Sequence, residues 1–549
     1  MKYMVYKFIF ASTFFLFSFF FFIQSQAENQ TKTGHSGISV GLNFRIYPSN
    51  VTQTETFITK HPVNPDILFA SANTFDLGTA FISEGIYVST DGGNTWYGSD
   101  TCNGSPIGLH GGDPGIAIDK NGTFLIIRLA NIISGLYSHY STDNGVTWSS
   151  QKTVAMNDQD RASLTSDGIL TSNFFGRSYA VWVRFAQPFP VFFSTTDDGG
   201  ENWISPVQVN NPIQRCQGGE VAIGPNGVVY LTWAGVIDTS PFTEDFVGFA
   251  SSTDGGANWA VSENAYDMNG IKGILSEKAN IRVNGLPRID VDKSGGTRDG
   301  WIYIVTNQKN LSPAGNDPDI ILNRSTDGGI TWSSGIRVNR DALNNGKIQY
   351  FPAVHVDDDG GLNIIYYDDR NTTSDSTAVF LSRSLDGGDT WMEFEISDHR
   401  FKPATLNGLG QGYMGDNIDL TSANNTLWPV WMDNSTGIYQ IWTAPVDIST
   451  TGIENREINK IPNEFKLFQN YPNPFNPSTS IQFKIPKSGF VLLKIYDVTG
   501  KEVTTLVSEH KRAGIHKAEW NAADYRSGIY YYTLTTPNFS TSKAMVLIR

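Results

Sequence analysis

Seven charged residues stand near the points where short apolar segments begin, and their types suit acid–base chemistry. They are Glu55, Asp113, Asp160, Arg161, Glu220, Arg288 and Asp416. Carboxyl groups beside arginines could cleave a glycosidic bond, with one carboxyl as acid and another as base or nucleophile. A ring of such groups could equally be solvated, or hold a calcium ion or a water column that ties the segments together. Both interpretations stay open, and Ca²⁺ as a structural ion is the only cofactor that the sequence suggests.

An eight-residue pattern, Ser-Thr-Asp-Gly-Gly-x-Thr-Trp, recurs six times along the chain. The copies occupy residues 89–96, 141–148, 196–203, 252–259, 325–332 and 384–391. Each follows a short apolar run, so each predicts a turn between two strands. We expect the Asp, which is Asp197 in the third copy, to accept backbone N–H groups, and the Trp to cover the turn. The pattern itself is therefore predicted to be structural.

A second pattern of alternating polar and apolar residues lies between these copies and divides the chain into seven units. Radial repetition of four-stranded units predicts an all-β protein with a seven-bladed β-propeller over residues 28–455, or alternatively a six-bladed one. Residues 39–46 are expected to supply the outer strand of the last blade. The first strand of each blade would face a common axis, so the seven charged residues would converge at one mouth of the central channel.

The repeated turns resemble the Asp boxes, or BNR repeats, of sialidase-like propellers over residues 39–446. This resemblance implies catalytic roles for four residues. Arg45 would bind the substrate carboxylate, Asp76 would be the general acid, Glu220 would activate a tyrosine, and Tyr413 would be that tyrosine, the nucleophile. Two further arginines of such sialidases are missing from their expected places, at residues 70–73 and 233–234. A sialic-acid carboxylate would therefore be poorly compensated.

Three classes of function follow from this resemblance. The first is a secreted enzyme acting on complex extracellular glycans, a glycoside hydrolase resembling exo-sialidases, with a polysaccharide lyase as the second choice. The others are a non-catalytic propeller that binds glycans or proteins, and a structural protein of the cell surface. A catalytic site predicts acidic side chains with shifted pKa in one deep pocket, whereas a binding site predicts a shallow face lined by aromatic residues. We expect a monomer whose partner is a glycan or glycoprotein.

Both ends of the chain carry export signals. Residues 1–27 combine two lysines, an apolar run and a final small-x-small sequence, which predicts a secretory signal peptide and no transmembrane span in the mature chain. The composition changes at residues 461–549, which predict a small Ig-like β-sandwich. Residues 496–501 and 528–531 resemble the C-terminal sorting domain of type IX secretion in Bacteroidota-like bacteria. That resemblance implies the type IX machinery as a partner, and secretion or anchoring at the outer-membrane surface of a Gram-negative bacterium.

The net charge and the cysteine content narrow the possible partners, disulfides and metal sites. The formal net charge of the chain is −14, and residues 1–27 contribute two lysines to it. Residues 461–549 hold eleven basic and six acidic side chains. The net charge of residues 28–460 is therefore −21. Such a field repels phosphate backbones and argues against a nucleic-acid partner. Only Cys102 and Cys216 are present, so there is no disulfide framework and no zinc-ligand spacing. These two cysteines are expected either to pair or to remain thiols.

Overall fold

The computed structural model describes residues 32–33, 38–76, 80–406, 408–449, 465–470, 473–486, 489–511, 514–537 and 539–548. The predicted signal peptide lies outside them. The chain divides into two compact units, of which the first ends at Thr450 and the second begins at Thr451.

The described part of the first unit contains seven antiparallel sheets of four or more strands, numbered here in chain order. Sheets 1 to 3 are formed by Thr52–Lys60, Leu68–Asp76, Ala80–Ser89 and Tyr97–Ser99; by His110–Ile118, Phe124–Ala130, Gly135–Ser141 and Lys152–Met156; and by Ser163–Ser166, Ser178–Val183, Val191–Thr196 and Val207–Gln208. Sheets 4 to 6 are formed by Arg215–Ile223, Val229–Val236, Glu244–Ser252 and Ala260–Asp267; by Arg288–Val291, Ile302–Gln308, Asp319–Ser325 and Ile336–Arg337; and by Gln349–Val356, Leu362–Asp368, Ala378–Ser384 and Met392–Glu395.

Sheet 7 joins the two ends of this unit. Its strands are Asp419–Ala423, Thr426–Asp433, Gln440–Thr443 and Phe44–Arg45, with Val446–Asp447, Ser39–Val40 and Lys32–Thr33 along its other part. The strand Phe44–Arg45 pairs with Thr443 and Trp442, and Ser39–Val40 pairs with Val446–Asp447. The expectation that residues 39–46 complete the last sheet is thus confirmed.

The seven sheets form a closed ring. The first strand of each sheet, called here the inner strand, packs against the inner strand of the next, and the inner strand of sheet 7 packs against that of sheet 1. The predicted propeller architecture is therefore observed, with seven sheets of four or more strands in the described residues. The apolar cores lie between neighbouring sheets, as where Phe69 of sheet 1 stacks on Phe124 of sheet 2 with ring centroids 5.1 Å apart. We call the side of the ring at which the inner strands begin the mouth face.

The repeated turns lie between the third and fourth strands of sheets 1 to 6 and close on themselves. In the first copy, Asp91 accepts hydrogen bonds from the backbone N–H of Thr95 at 2.8 Å and from its hydroxyl at 2.6 Å. The third copy corrects the sequence prediction. Asp198 accepts the equivalent N–H of Asn202 at 2.9 Å, whereas Asp197 pairs with Arg177 at 2.7 Å. The carboxylate directly before the two glycines is the one that reaches across the turn.

Short additional elements connect these strands. A hairpin, Gly273–Leu275 and Ile281–Val283, is inserted between sheets 4 and 5, and three 3₁₀ turns occupy Ile107–Leu109, Pro225–Gly227 and Ser276–Lys278. In the described part of the chain, no helix is long and apolar enough to span a membrane. Cys102 and Cys216 are free thiols, and they are buried in different cores.

The second unit is a sandwich of two sheets. Its strands are Lys466–Leu467, Ser478–Ile485 and Gly514–Asn521 in one sheet, and Glu502–Lys511, Gly489–Tyr496, Gly528–Thr536 and Phe539–Leu547 in the other. Side chains from both sheets, such as Phe483 and Leu493, share one apolar core. This is the β-sandwich that the alternating sequence predicts.

Candidate functional site

Two inner strands bulge where their acidic residues face the mouth. The pairing of sheet 1 is interrupted between Thr54 and Phe57, and that of sheet 2 between Gly112 and Gly115. Glu55 and Asp113 lie in these bulges with φ angles of 53° and 58°. A left-handed conformation is unfavourable for such residues and is typically kept where a side chain must be re-aimed at a functional site.

The two bulges bring Glu55 and Asp113 to the same tyrosine. The hydroxyl of Tyr413 donates a hydrogen bond to Glu55 Oε1 at 2.8 Å, and Thr54 Oγ1 lies 3.3 Å from that hydroxyl. Asn73 Nδ2 is 3.2 Å from the Tyr413 hydroxyl and 3.3 Å from Asp113 Oδ1, and the backbone N–H of Asp113 donates to Asn73 Oδ1 at 2.8 Å. Asn73 therefore links the tyrosine to the second carboxyl group.

Burial and charge shift the protonation of this group. Burial, followed by the charges of Asp113 and Asp416, holds the pKa of Glu55 well above its usual value. Burial and the charge of Asp160 raise the pKa of Asp113 to about 6. The pKa of Tyr413 is also raised, by burial and by Glu55, so its hydroxyl is protonated at neutral pH. Two interacting carboxyl groups in this condition titrate as a pair and share a proton.

A second cluster lies along the inner strands of sheets 3, 4, 5 and 7. Arg161 Nη2 is 2.5 Å from Glu220 Oε1, and Ser163 donates to Glu220 Oε2 at 2.8 Å. Arg288 lies 3.4 Å from the same glutamate and 3.3 Å from Asp419. Burial would raise the pKa of Glu220, but the two guanidinium groups and the hydrogen bonds lower it overall, so Glu220 is ionised. The carboxylate of Glu220 is thus neutralised by its ion pairs with Arg161 and Arg288.

A third arginine comes from the inserted hairpin. Arg282 forms an ion pair with Asp416, and its guanidinium carbon lies 5.3 Å from the centre of the Tyr413 ring. Its backbone N–H donates to the carbonyl of Gly412 at 2.8 Å. The hairpin thus holds the loop that carries Tyr413.

The structure brings together most of the residues predicted from the sequence. Glu55, Asp113, Asp416 and Tyr413 surround one point of the mouth, and Asp160 acts on Asp113 through its charge. The arginine cluster adds Arg161, Glu220 and Arg288 beside them, as the charge of Arg161 on both Glu55 and Asp113 indicates.

The structure corrects two of the sequence predictions, on the partner of Tyr413 and on Arg45, and shows the position of Asp76. Tyr413 is hydrogen-bonded to Glu55 and not to Glu220, because the oxygens of Glu220 are engaged by Arg161 and Ser163. Arg45 lies in the outermost strand of sheet 7, three strands away from the inner strand, so it is not among the charged residues at the mouth. Asp76 is an exposed residue at the end of the strand that carries Asn73, and its role as an acid stays a prediction.

Sequence reasoning missed Asn73, Arg282 and Asp419. Asn73 lies in the segment where the sialidase resemblance predicts an arginine, and its position opposite Thr54 in the strand pair is the signal that could have indicated it. Arg282 belongs to the hairpin, which carries no repeat signal. Asp419 opens the inner strand of sheet 7, three residues after the chosen Asp416.

A cavity of about 630 Å³ lies on the axis of the ring and is lined by the inner strands of all seven sheets. Arg161, Glu220, Arg288 and Asp419 line one part of it, while Glu55, Asp113 and Tyr413 do not line it. Lys60 and His355 are among its other lining residues. Among the described residues, no group of three or more His, Cys, Asp or Glu is placed to hold a metal ion.

Comparison with known proteins identifies the second unit. Residues 469–548 match the family described as "Secretion system C-terminal sorting domain". The second unit is a sorting domain. Its presence indicates a secreted or cell-surface protein of Bacteroidetes-type bacteria, as the sequence resemblance implied.

The remaining comparisons concern solved structures. No curated protein matches the chain. A polysaccharide lyase, an ulvan lyase, is 12% identical with a TM-score of 0.46 over 71% of this chain and 94% of its own. A Hadza microbial sialidase is 16% identical with a TM-score of 0.38 over 57% and 63%. A Penicillium chrysogenum α-L-arabinanase complexed with arabinobiose is 16% identical with a TM-score of 0.40 over 63% and 98%.

Proposed function

We propose that the protein is a secreted glycoside hydrolase that cleaves extracellular glycans at the mouth of its propeller. The observation that carries this proposal is the hydrogen bond from the Tyr413 hydroxyl to Glu55, with Asn73 linking the same hydroxyl to Asp113. A partly buried tyrosine beside two carboxyl groups with raised pKa provides a nucleophile, a base and an acid within one small volume.

The reaction would proceed in two steps. Tyr413 Oη attacks the anomeric carbon while Glu55, in its ionised form, accepts the phenolic proton. In the reacting protonation state the proton shared by the pair lies on Asp113, which gives it to the leaving oxygen as the glycosidic bond breaks. Asp113 then removes a proton from water, the water oxygen displaces the tyrosine, and the phenolate recovers its proton from Glu55. The anomeric configuration would be retained.

The arrangement of arginines supports a substrate without a carboxylate. Arg161 and Arg288 are engaged by Glu220, and Arg282 is engaged by Asp416. A sialic acid would have to displace these partners, and Arg45 is too far from the axis to help. The net charge of −21 on residues 28–460 also disfavours an anionic glycan. We therefore propose a neutral glycoside and not a sialoside as substrate.

The test is a turnover screen of the secreted chain on fluorogenic glycosides and on polysaccharides. Tyr413→Phe should lower kcat by about 10²–10⁴-fold on any substrate that the wild type cleaves. Tyr97→Phe is the matched control, because that tyrosine lies in the outermost strand of sheet 1 and its hydroxyl donates only to a backbone carbonyl, that of Asn144, in the described residues. Equal activity of Tyr413→Phe and wild type would refute the site. Glycan binding without turnover on any substrate would favour the non-catalytic propeller.

A further inference from the structure

The mouth face carries a second, smaller cavity, between the loops of sheets 2 and 3. Its volume is about 220 Å³, and it is lined by residues 129–130 and 134–135 of sheet 2 with Asp158, Gln159 and Phe185. Pockets for drug-sized ligands measure about 300–1,000 Å³, so this one suits a single ring. It shares no lining residue with the axial cavity.

One wall of this cavity is an aromatic ring that is exposed but held in place. Phe185 is 47% exposed. The guanidinium carbon of Arg215 lies 5.0 Å from the centre of its ring, 4.3 Å from that of Phe189 and 4.5 Å from that of Phe242. Arg215 Nε has no hydrogen-bond partner in the described part of the chain, so aromatic faces are important partners of this cation. The three phenylalanine rings are thereby held around the Arg215 guanidinium.

The backbone supporting these rings is strained. Phe189 and Phe242 occupy equivalent loops, between the second and third strands of sheets 3 and 4, and their φ angles are 61° and 63°. A bulky residue in the left-handed region costs about 1–3 kcal/mol, and such residues cluster at ligand clamps. Phe189 belongs to the loop that also carries Phe185, so this observation, which is independent of the cavity, points to one of the loops that line it.

The lining of the cavity also includes a hydrogen-bond acceptor. Asp158 is exposed, and its backbone carbonyl accepts the N–H of Phe185 at 3.0 Å. No hydrogen bond or ion pair between described residues engages its carboxylate. The side-chain amide oxygen of Gln159, in contrast, already accepts a hydrogen bond from the Trp182 indole N–H at 2.7 Å. A flat apolar face beside an unengaged carboxylate matches a sugar ring, which presents C–H groups on one face and hydroxyl donors at its edge.

We propose that this cavity is a subsite for one uncharged sugar ring of a polysaccharide that extends from the mouth. This inference rests on the proposed glycan function and specifies its substrate class. The sugar ring stacks on Phe185, and its hydroxyl groups donate to Asp158. An anionic sugar is excluded, because it would meet Asp158 within a strongly acidic unit. A substrate with a single sugar would occupy only the Tyr413 site.

The test measures polysaccharide affinity of the intact secreted chain by gel retardation. The probes are arabinan, xylan and galactomannan as neutral polymers and polygalacturonate as the anionic one. Phe185→Ala should raise the Kd for a neutral polymer at least tenfold, and Asp158→Asn should raise it less. Ile330→Ala is the matched control, since Ile330 is 83% exposed in the turn of sheet 5 and should leave the Kd unchanged. Turnover of single-sugar aryl glycosides should be equal in all three variants.

Three outcomes would overturn the subsite: equal Kd values for Phe185→Ala and wild type, stronger binding of polygalacturonate than of the neutral polymers, or no binding of any neutral polymer. Failure of the hydrolase proposal is a different result. In that case neutral polymers bind in a Phe185-dependent way, but neither polymers nor aryl glycosides are cleaved.

Discussion

The hydroxyl of Tyr413 donates a 2.8 Å hydrogen bond to Glu55 across 358 residues of sequence, because the ring closes between sheets 7 and 1. Glu55 occupies a strained bulge, and Tyr413 lies in a loop held by the backbone of Arg282. Ring closure, bulge and hairpin are therefore all needed to form this one contact. The site depends on the integrity of the whole propeller and not on a local motif.

The first prediction separates the two glutamates. Glu55→Gln should lower kcat by about 10²–10⁴-fold, because the amide cannot take the Tyr413 proton. Glu220→Gln should instead lower the free energy of unfolding by about 3 kcal/mol, since it leaves Arg161 and Arg288 without their charged partner. Steady-state kinetics and urea unfolding of both variants make the comparison. A full loss of kcat in a stably folded Glu220→Gln protein would restore the assignment suggested by sequence.

The second prediction concerns pH. Burial and Asp160 raise the pKa of Asp113 to about 6, and the proposed acid works only when protonated. Because Glu55 and Asp113 share one proton and the pKa of Glu55 is held well above its usual value, kcat/KM should fall as the pH rises through the upper pKa of the pair. Asp113→Asn should remove this limb and should reduce turnover more for alkyl glycosides than for activated aryl glycosides, whose leaving groups need no proton. An unchanged pH profile in Asp113→Asn would contradict the assignment.

The third prediction distinguishes neighbouring aspartates in the turn of sheet 3. Asp198 receives two hydrogen bonds from Asn202, at 2.9 Å from its N–H and 2.8 Å from its amide group. Asp198→Ala should therefore lower the free energy of unfolding by about 1–2 kcal/mol. Asp197→Ala removes a surface ion pair with Arg177 and should cost less than about 1 kcal/mol. Thermal unfolding of the two variants tests this order, and the reverse order would show that the turn is assigned to the wrong residue.

The sequence predicted the fold well because its signal is periodic. Six similar turns, seven alternating units and the strand at residues 39–46 indicated the ring and its closure before any coordinates. The partner of Tyr413 could not be obtained in this way. It depends on which inner strand bulges, and bulges at Glu55 and Asp113 follow from packing around the axis and not from local pattern. Arg282 was missed because an insertion has no repeat to reveal it.

The fourth prediction concerns His399, which bridges sheet 7 and the segment leading to Tyr413. Its Nε2 lies 2.8 Å from Asp433 and its Nδ1 lies 2.7 Å from Asp398. The hydrogen bond to Asp433, with that to Asp398, raises the pKa of His399 to about 9 against the opposing effect of burial. Because the folded pKa exceeds the unfolded value of about 6.5, the stabilisation is complete below that pH and is lost as the pH rises through 9.

His399→Asn should accordingly reduce the free energy of unfolding by on the order of 2 kcal/mol at pH 6, allowing for partial exposure. The difference from wild type should shrink as the pH rises through 9, measured by urea unfolding across this range. In His61→Asn the difference should stay constant between about pH 8 and 9, because burial lowers the pKa of His61 in the folded state and the unfolded value is about 6.5, so the imidazole is neutral in both states there. A constant difference for His399→Asn as well would exclude the charged bridge.

The last prediction concerns the two thiols. Cys102 and Cys216 are 0% and 2% exposed, and they lie in the cores between sheets 1 and 2 and between sheets 3 and 4. Burial raises the pKa of each thiol to about 12, so the reactive thiolate is scarce at neutral pH. The native protein should not react with a chromogenic disulfide reagent, whereas the urea-unfolded chain should release two equivalents without prior reduction. Release only after reduction would show that the cysteines are paired, and the two cores would then have to lie closer than this structure places them.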